Sequence, residues 1–423
     1  MLVGFGAILP ILPLYLVGHG IDNALLGVII AAWPLAKLIS EPIFGYLGDR
    51  RARKPIMLVA LVILAVSIVL PLWLTSAPAF FVSRLIGGLA TGMYDPAARG
   101  IIVDATDEDR RGEAFGLYGS FQMGGLILGP VIGSAAAAVV GGYAFPFVLT
   151  AALVLVAALF LAARLRDTRD LTRDHTGLAR ADHQPSPPSH LGPGGEEMAT
   201  GLVGEAVLEA ALNAAARPRG TVRPAAAGDR GRLLNRMLVA AVVMELTFAF
   251  STGVYEVIWS LFMSSLGASV AWIGFTFTLF ALPVMLLSPF AGRLVDRYGG
   301  LRFAILGGLA VAAAGLIYTT ATEPVMPALV GLLEASGFAF VGPALFWLLA
   351  RGTPPGRTST AQGIFGAAGT TGTIVSSLAA GVLWGVDPRL PFYLFVGVSL
   401  VGMAVAAVIG RERPGAAPGT LGA

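Results

Sequence analysis

Seven ionisable side chains stand inside runs that are otherwise apolar: Lys37, Glu41, Arg84, Asp95, Glu245, Glu256 and Glu334. Within hydrocarbon a charge costs about 2.5–3.5 kcal/mol even on lenient insertion scales, so such groups face a partner or a watery cavity. Arg84 and Asp95 are eleven residues apart, with Gly88 and Thr91 between them. At about 100° and 1.5 Å per residue they fall on one helical stripe ~16 Å apart. Glu245 and Glu256 repeat that spacing, with Thr252 between them and Phe248, Tyr255 and Trp259 close by. Lys37 and Glu41 have the i,i+4 spacing of an internal ion pair. Neither Asp95 nor Glu256 has an opposite charge correctly placed on its own helix; Arg99 is one turn from Asp95 but angularly offset. Unpartnered carboxyls in such surroundings are what proton coupling requires, so Asp95, Glu256 and Glu41 are the candidate coupling acids. Arg84, Lys37, Glu245, Trp259 and Glu334 are the candidate lining of a substrate cavity.

The elements that must position these groups are membrane helices. The chain has 423 residues, 56% hydrophobic and 13% charged, with a mean hydropathy of +0.79. A soluble domain carries roughly 25% charged residues, so this is a polytopic membrane chain. Apolar stretches near 1–18, 25–44, 56–75, 79–103, 114–139, 145–163, 237–263, 272–291, 302–320, 327–349, 361–383 and 391–409 predict about twelve spans. The first has no basic flank and is read as a retained helix rather than a signal peptide. Arg50, Arg51, Arg53, Lys54, Arg110, Arg111, Arg293, Arg297, Arg302, Arg351 and Arg357 all fall in loops on one side, and Arg389 on the other. The positive-inside rule makes the basic side cytoplasmic, together with both termini, in the cell membrane.

A net charge of +3 with no basic patch excludes nucleic acid as a partner, and the absence of cysteine removes disulfides and thiolate chemistry. No HExxH, GxSxG or phosphate loop is present, so an enzyme is not expected. No cofactor or metal is expected either. Residues 166–235 are rich in proline, glycine and mixed charge and predict a mostly disordered cytoplasmic linker, in which the alanine-rich stretch from Glu196 reads as an only partly helical linker, with a short helix on the membrane surface as the alternative. It divides a first bundle, 1–165, from a second, 236–413, and 414–423 form a cytoplasmic tail.

Between the second and third spans lies GYLGDRRARK, Gly45 to Lys54. Gly292, Leu294, Asp296 and Arg297 repeat Gly45, Leu47, Asp49 and Arg50 at an offset of 247 residues. The offset continues: Gly20, Gly27, Pro42, Pro96, Gly116 and Gly119 map onto Gly267, Gly274, Pro289, Pro343, Gly363 and Gly366. By the same offset Met1 aligns with Phe248, although the seventh span begins near Arg236, so the first helix is expected to lack its cytoplasmic third.

The duplicated pattern G-x-L-x-D-R-x-x-R-K resembles the signature loop of the major facilitator superfamily, with Ala52 where that family usually has glycine. The resemblance implies an all-α membrane fold of twelve transmembrane helices in two pseudo-symmetric six-helix bundles, monomeric, around a small-molecule site. It implies a conformational latch. Asp49 faces the start of the eleventh helix near Thr358, Arg53 pairs with Asp104, and Asp296 mirrors Asp49 near Glu113. Gly125, Gly129, Pro130 and Gly133 resemble the helix 5 motif of the drug/proton antiporters, with Ser134 replacing a glycine; ordinary tight packing is the alternative. Those exchangers typically keep an acid in the first helix, and none precedes Asp22 here. The expected function is proton-coupled efflux of small lipophilic or cationic compounds by alternating access. The alternatives are a proton-coupled importer of a sugar, organic acid or peptide, and a non-transporting membrane sensor.

Overall fold

The computed structural model describes residues 2–50, 52–106, 111–140, 142–165, 235–354 and 357–410. The side chains of Asp49, Arg50, Asp104, Glu113 and Thr358 lie outside the described ones, as does the linker at 166–234.

The first predicted span is two short helices, α1 (Leu2–Ile8) and α2 (Leu12–Gly18). Pro10 and Pro13 cause the break, since neither offers a backbone N–H to the preceding turn. The remainder of the first half is α3 (Asn23–Arg50), α4 (Arg53–Val69), α5 (Ala77–Ala105), α6 (Arg111–Val140) and α7 (Ala144–Arg164). The second half is α8 (Arg236–Ser265), α9 (Val270–Tyr298), α10 (Gly300–Tyr318), α11 (Val325–Gly352), α12 (Thr358–Val386) and α13 (Leu390–Gly410). A helix therefore occupies each of the predicted places. Among the described residues nine are both long and apolar enough to cross a membrane. α1 and α2 are too short. α5 is diluted by Arg84, Asp95 and Arg99, and only Gly124–Val140 of α6 is a continuous apolar stretch.

The internal repeat is visible in the backbone. Gly20 (φ 78°) and Gly267 (φ 84°) close α2 and α8 in the left-handed conformation that glycine adopts without a Cβ penalty. The signature turns differ: Gly299 takes φ 92°, whereas its counterpart Ala52 takes φ −57°. A side chain at 52 excludes the left-handed turn, so the first copy enters α4 by another route.

Small residues set the spacing within each bundle. On α5, a Cβ at Gly88 would stand 2.9 Å from the Ala36 Cβ, and one at Gly92 would stand 3.1 Å from the Glu41 N. α3 and α5 are thereby drawn close enough for their charged side chains to meet. On α6, Gly129 and Gly133 lie against Val3, Gly6 and Ala7 of α1, and Pro130 touches Gly6. The helix 5 motif thus seats α1 on α6.

The two bundles meet through α3 with α12 and α6 with α9. Gly27 lies against Ser377 and Gly381, and Gly274 against Pro130 and Ser134. The Thr278 hydroxyl donates to the Ile127 carbonyl at 2.7 Å. All of these contacts lie in the halves of the helices remote from the Gly45–Lys54 turn. Toward that turn the bundles part: a Cβ at Gly292, Gly363 or Gly366 would meet no heavy atom within 4 Å, and Phe121 is 74% exposed. Among the described residues the two bundles touch at the far face and part toward the face bearing the signature loops.

Candidate functional site

A cavity of about 520 Å³ occupies the interior of the first bundle and reaches across to the second at Glu256. Apolar wall comes from Phe5, Leu9, Trp33 and Phe121, and ionic wall from Lys37, Arg84, Asp95, Arg99 and Glu256. The close approach of α3 to α5 lets the Lys37 Nζ donate to the Asp95 Oδ2 at 2.6 Å. Arg99 reaches the Glu41 Oε1 at 3.3 Å and the Asp95 Oδ2 at 3.9 Å. These four groups form an alternating ladder in which each charge has an opposite neighbour.

Two expectations are corrected here. Lys37 and Glu41 do not pair along their own helix; each turns to a partner on α5. Asp95 and Glu256 are not isolated, since the Arg84 Nη2 lies 3.4 Å from the Glu256 Oε1. The partners stand on other helices, where spacing along one helix gives no sign of them.

Arg84 is buried on α5 with its guanidinium carbon 4.5 Å from the centre of the Trp33 ring, a cation–π arrangement. Its Nη2 meets Glu256 of α8, so this ion pair joins the two bundles. It lies in the half of the molecule that is closed. Among the described residues the Nε of Arg84 has no acceptor.

Three residues expected at the cavity stand elsewhere. Trp259 lies in the aromatic core of the second bundle, 5.3 Å from the Tyr318 ring centre, with its indole N–H donating to Thr276 at 2.9 Å. Glu334 is buried beside it and accepts from the Tyr318 hydroxyl at 2.6 Å. Glu245 is half-buried between α8 and α12, with its Oε1 against Gly369. The aromatic side chains of α8, α10 and α13 pack on one another and draw Trp259 and Glu334 inward, away from the gap between bundles.

Tyr118 and Gln122, four apart on α6, also line the cavity and were not picked out from the sequence. Two hydrogen-bonding side chains one turn apart within an apolar span are the signal that marks them.

At the signature loop, Gly45 sits over Pro96 of α5, where a Cβ would stand in van der Waals contact at 3.8 Å from the Pro96 Cβ. The Arg53 Nε donates to the Gly48 carbonyl at 3.3 Å and its guanidinium covers Gly100. Asp104 is one turn further along α5, and its side chain, like those of Asp49 and Arg50, lies outside the described ones. In the second copy Gly292 faces open space, Asp296 is exposed, and Arg297 lies over the Tyr298 ring at 5.2 Å.

Two repeated helical bundles, the first holding a charged cavity that reaches the second at Glu256, have the architecture of a membrane transporter of small molecules. The family profile of the Major Facilitator Superfamily matches residues 1–250 and 241–422. The chain belongs to that superfamily. It is 22% identical over 419 residues to the quinolone resistance protein NorA of Staphylococcus aureus (strain COL), covering 97% of this chain and 94% of the relative. It is also 22% identical over 424 residues to multidrug resistance protein 2 of Bacillus subtilis (strain 168), covering 98% and 94%. Among solved structures it is similar to the nucleoside transporter NupG, with a TM-score of 0.69 at 15% identity over 97% of this chain and 96% of the other.

Proposed function

We propose that this transporter exports small lipophilic compounds in exchange for protons, with Glu256 as the acid that carries the coupled proton. The observation that carries the reading is the Arg84–Glu256 pair, which spans the two bundles on their closed side. With Glu256 ionised, the pair clasps the far face shut, so the empty carrier does not reverse and leak. A substrate entering the open side competes for these groups, breaks the clasp and permits the far face to open. After the substrate leaves, Glu256 takes up a proton on the far side, which removes the cost of desolvating its carboxylate as the far face closes, and release of that proton on the open side re-forms the clasp. Ligand and proton thus act through the same differential contacts in the two states, as alternating access requires.

Asp95 and Glu41, held by Lys37 and Arg99, belong to the same network as supporting members. The latch residues Gly45, Asp49, Arg50, Arg53, Asp104, Gly292, Asp296 and Arg297 are proposed to close the opposite face in the other state. The open side carries the basic loops, which the positive-inside rule assigns to the cytoplasm, the loading side of an exporter. The names of NorA and multidrug resistance protein 2 support the same direction.

Everted vesicles energised to an acid interior test this. Adding lipophilic dyes should discharge the pH gradient through the wild-type protein and not through Glu256→Gln. Discharge that occurs only in right-side-out vesicles on adding a sugar or an organic acid would replace export by import.

A further inference from the structure

Glu245 enters neither the clasp nor the ladder. Among the described residues it has no ion-pair partner, yet it is half-buried, with its Oε1 against Gly369 of α12. Glu245, Ala249, Thr252 and Glu256 follow one another at i, i+4, i+7 and i+11, a single stripe of α8. Thr252 is exposed and Glu256 lines the cavity, so this stripe faces the gap between the bundles. A carboxylate placed there within the membrane calls for a partner.

Two helix registers lead to Lys37. α5 and α8 run antiparallel and touch at Arg84 and Glu256. Eleven residues from that contact toward the face of the signature loops stand Asp95 on one helix and Glu245 on the other, each about 16 Å away. Lys37 is on Asp95 at 2.6 Å. α3 and α12 are also antiparallel and touch where Gly27 meets Ser377 and Gly381. Ten residues on from Gly27 is Lys37. Ten residues back from midway between Ser377 and Gly381 is Gly369, where the Glu245 carboxylate rests. Lys37 stands on α3 between the face against α5, with Trp33, Ala36 and Ser40, and the face against α12, with Asn23 and Gly27. Its side chain is 32% exposed and free to turn.

We propose that Lys37 exchanges Asp95 for Glu245 when the bundles close at the signature face, forming there an ion pair that mirrors Arg84–Glu256 at the far face. The exchange strands no charge. Asp95 keeps Arg99, already 3.9 Å from its Oδ2, and Glu245 gains the partner it lacks. One pair forms as the other breaks, so the two faces do not stand open together. This rests on the alternating access of the reading above, but not on its direction or on the proton at Glu256.

The native amine and carboxylate test this directly. Dicyclohexylcarbodiimide, which enters the bilayer, joins the two as an amide and leaves as its urea; Lys37 and Lys54 are the only lysines of the chain. In the full-length protein in proteoliposomes, peptide masses should show a Lys37–Asp95 link, and in Asp95→Asn a Lys37–Glu245 link instead. The link is irreversible, so it accumulates even from a minor conformation. A disulfide between Asn23→Cys and Gly385→Cys, whose Cβ atoms would stand 3.7 Å apart at the far face, should lower the Lys37–Glu245 yield about tenfold or more. Reduction should restore it. A Lys37–Asp95 link in the wild type with no Lys37–Glu245 link in Asp95→Asn would overturn the proposal, as would a Lys37–Glu245 link indifferent to the disulfide.

A second readout does not depend on the reagent reaching Lys37. A side chain at Gly363 meets no heavy atom on the signature side, and Gly363→Cys reports opening there through its rate of reaction with a maleimide. Glu245→Gln should raise that rate about threefold or more, and Lys37→Gln on top should add nothing. An unchanged or slower rate in Glu245→Gln contradicts the pair. The exporter reading fails separately: a Lys37–Glu245 link that obeys the disulfide, in a protein that discharges no pH gradient on adding dye, upholds the pair and sinks antiport. Antiport without the link sinks the pair alone.

Discussion

Arg84 and Glu256 come from different halves of a duplicated chain and meet with 3.4 Å between Nη2 and Oε1, on the side where the two halves are closed. Neither residue has its repeat counterpart in the pair, so the clasp is an asymmetric feature on a symmetric frame. In the proposed mechanism that asymmetry lets one protonation event act on one face of the molecule and not on the other.

The closed far face predicts a crosslink. A Cβ at Gly385 would stand 3.7 Å from the Asn23 Cβ, within the ~3.5–4.5 Å that a disulfide spans. The chain has no cysteine of its own. Asn23→Cys with Gly385→Cys should form an intramolecular disulfide that arrests transport and releases it on reduction, read by gel shift and dye efflux. Undiminished transport by the fully crosslinked protein would mean that the far face does not need to open there.

The ladder between α3 and α5 predicts non-additive losses. Lys37→Met alone leaves Asp95 with only the longer Arg99 contact and should cost about 1.5–3 kcal/mol, seen as a lowered unfolding midpoint in detergent. Lys37→Met with Asp95→Asn should recover part of that loss, because no unpaired charge remains. A double variant showing the simple sum of the two losses would rule out direct coupling of the pair.

Packing predicts a contrast between two glycines. Gly88→Val pushes α5 from α3, since even a Cβ there meets Ala36 at 2.9 Å; overpacking of this kind costs about 1–3 kcal/mol and separates Lys37 from Asp95. Gly363→Val points into open space and should be tolerated in stability. Comparing thermal melts of the two variants checks the close approach that builds the site.

Much of this fold was legible in the sequence for a physical reason. Hydrocarbon admits only helices and closed barrels, whose backbones are satisfied internally, and only a helix needs an apolar run of about 20 residues, so such runs report spans directly, and the glycines at 20 and 267 had to match because both turns need a positive φ. The ion pairs were not legible. Periodicity says which residues share a face of one helix, which is why Lys37 and Glu41 read as a pair; it says nothing of which helix stands opposite. Asp95 and Glu256 read as isolated for the same reason. Trp259 and Glu334 read as cavity residues because polar and aromatic groups in a span advertise function, but the aromatic packing around Tyr318 takes them into the core instead.

Proteoliposomes provide the most direct test of Glu256 as the coupling acid. Wild-type and Glu256→Gln proteins would be compared for exchange of labelled against unlabelled dye at equal pH, and for dye accumulation driven by an acid interior. The account predicts that the wild type does both, whereas Glu256→Gln keeps exchange but loses gradient-driven accumulation by at least tenfold. Accumulation by Glu256→Gln at the wild-type level would contradict it.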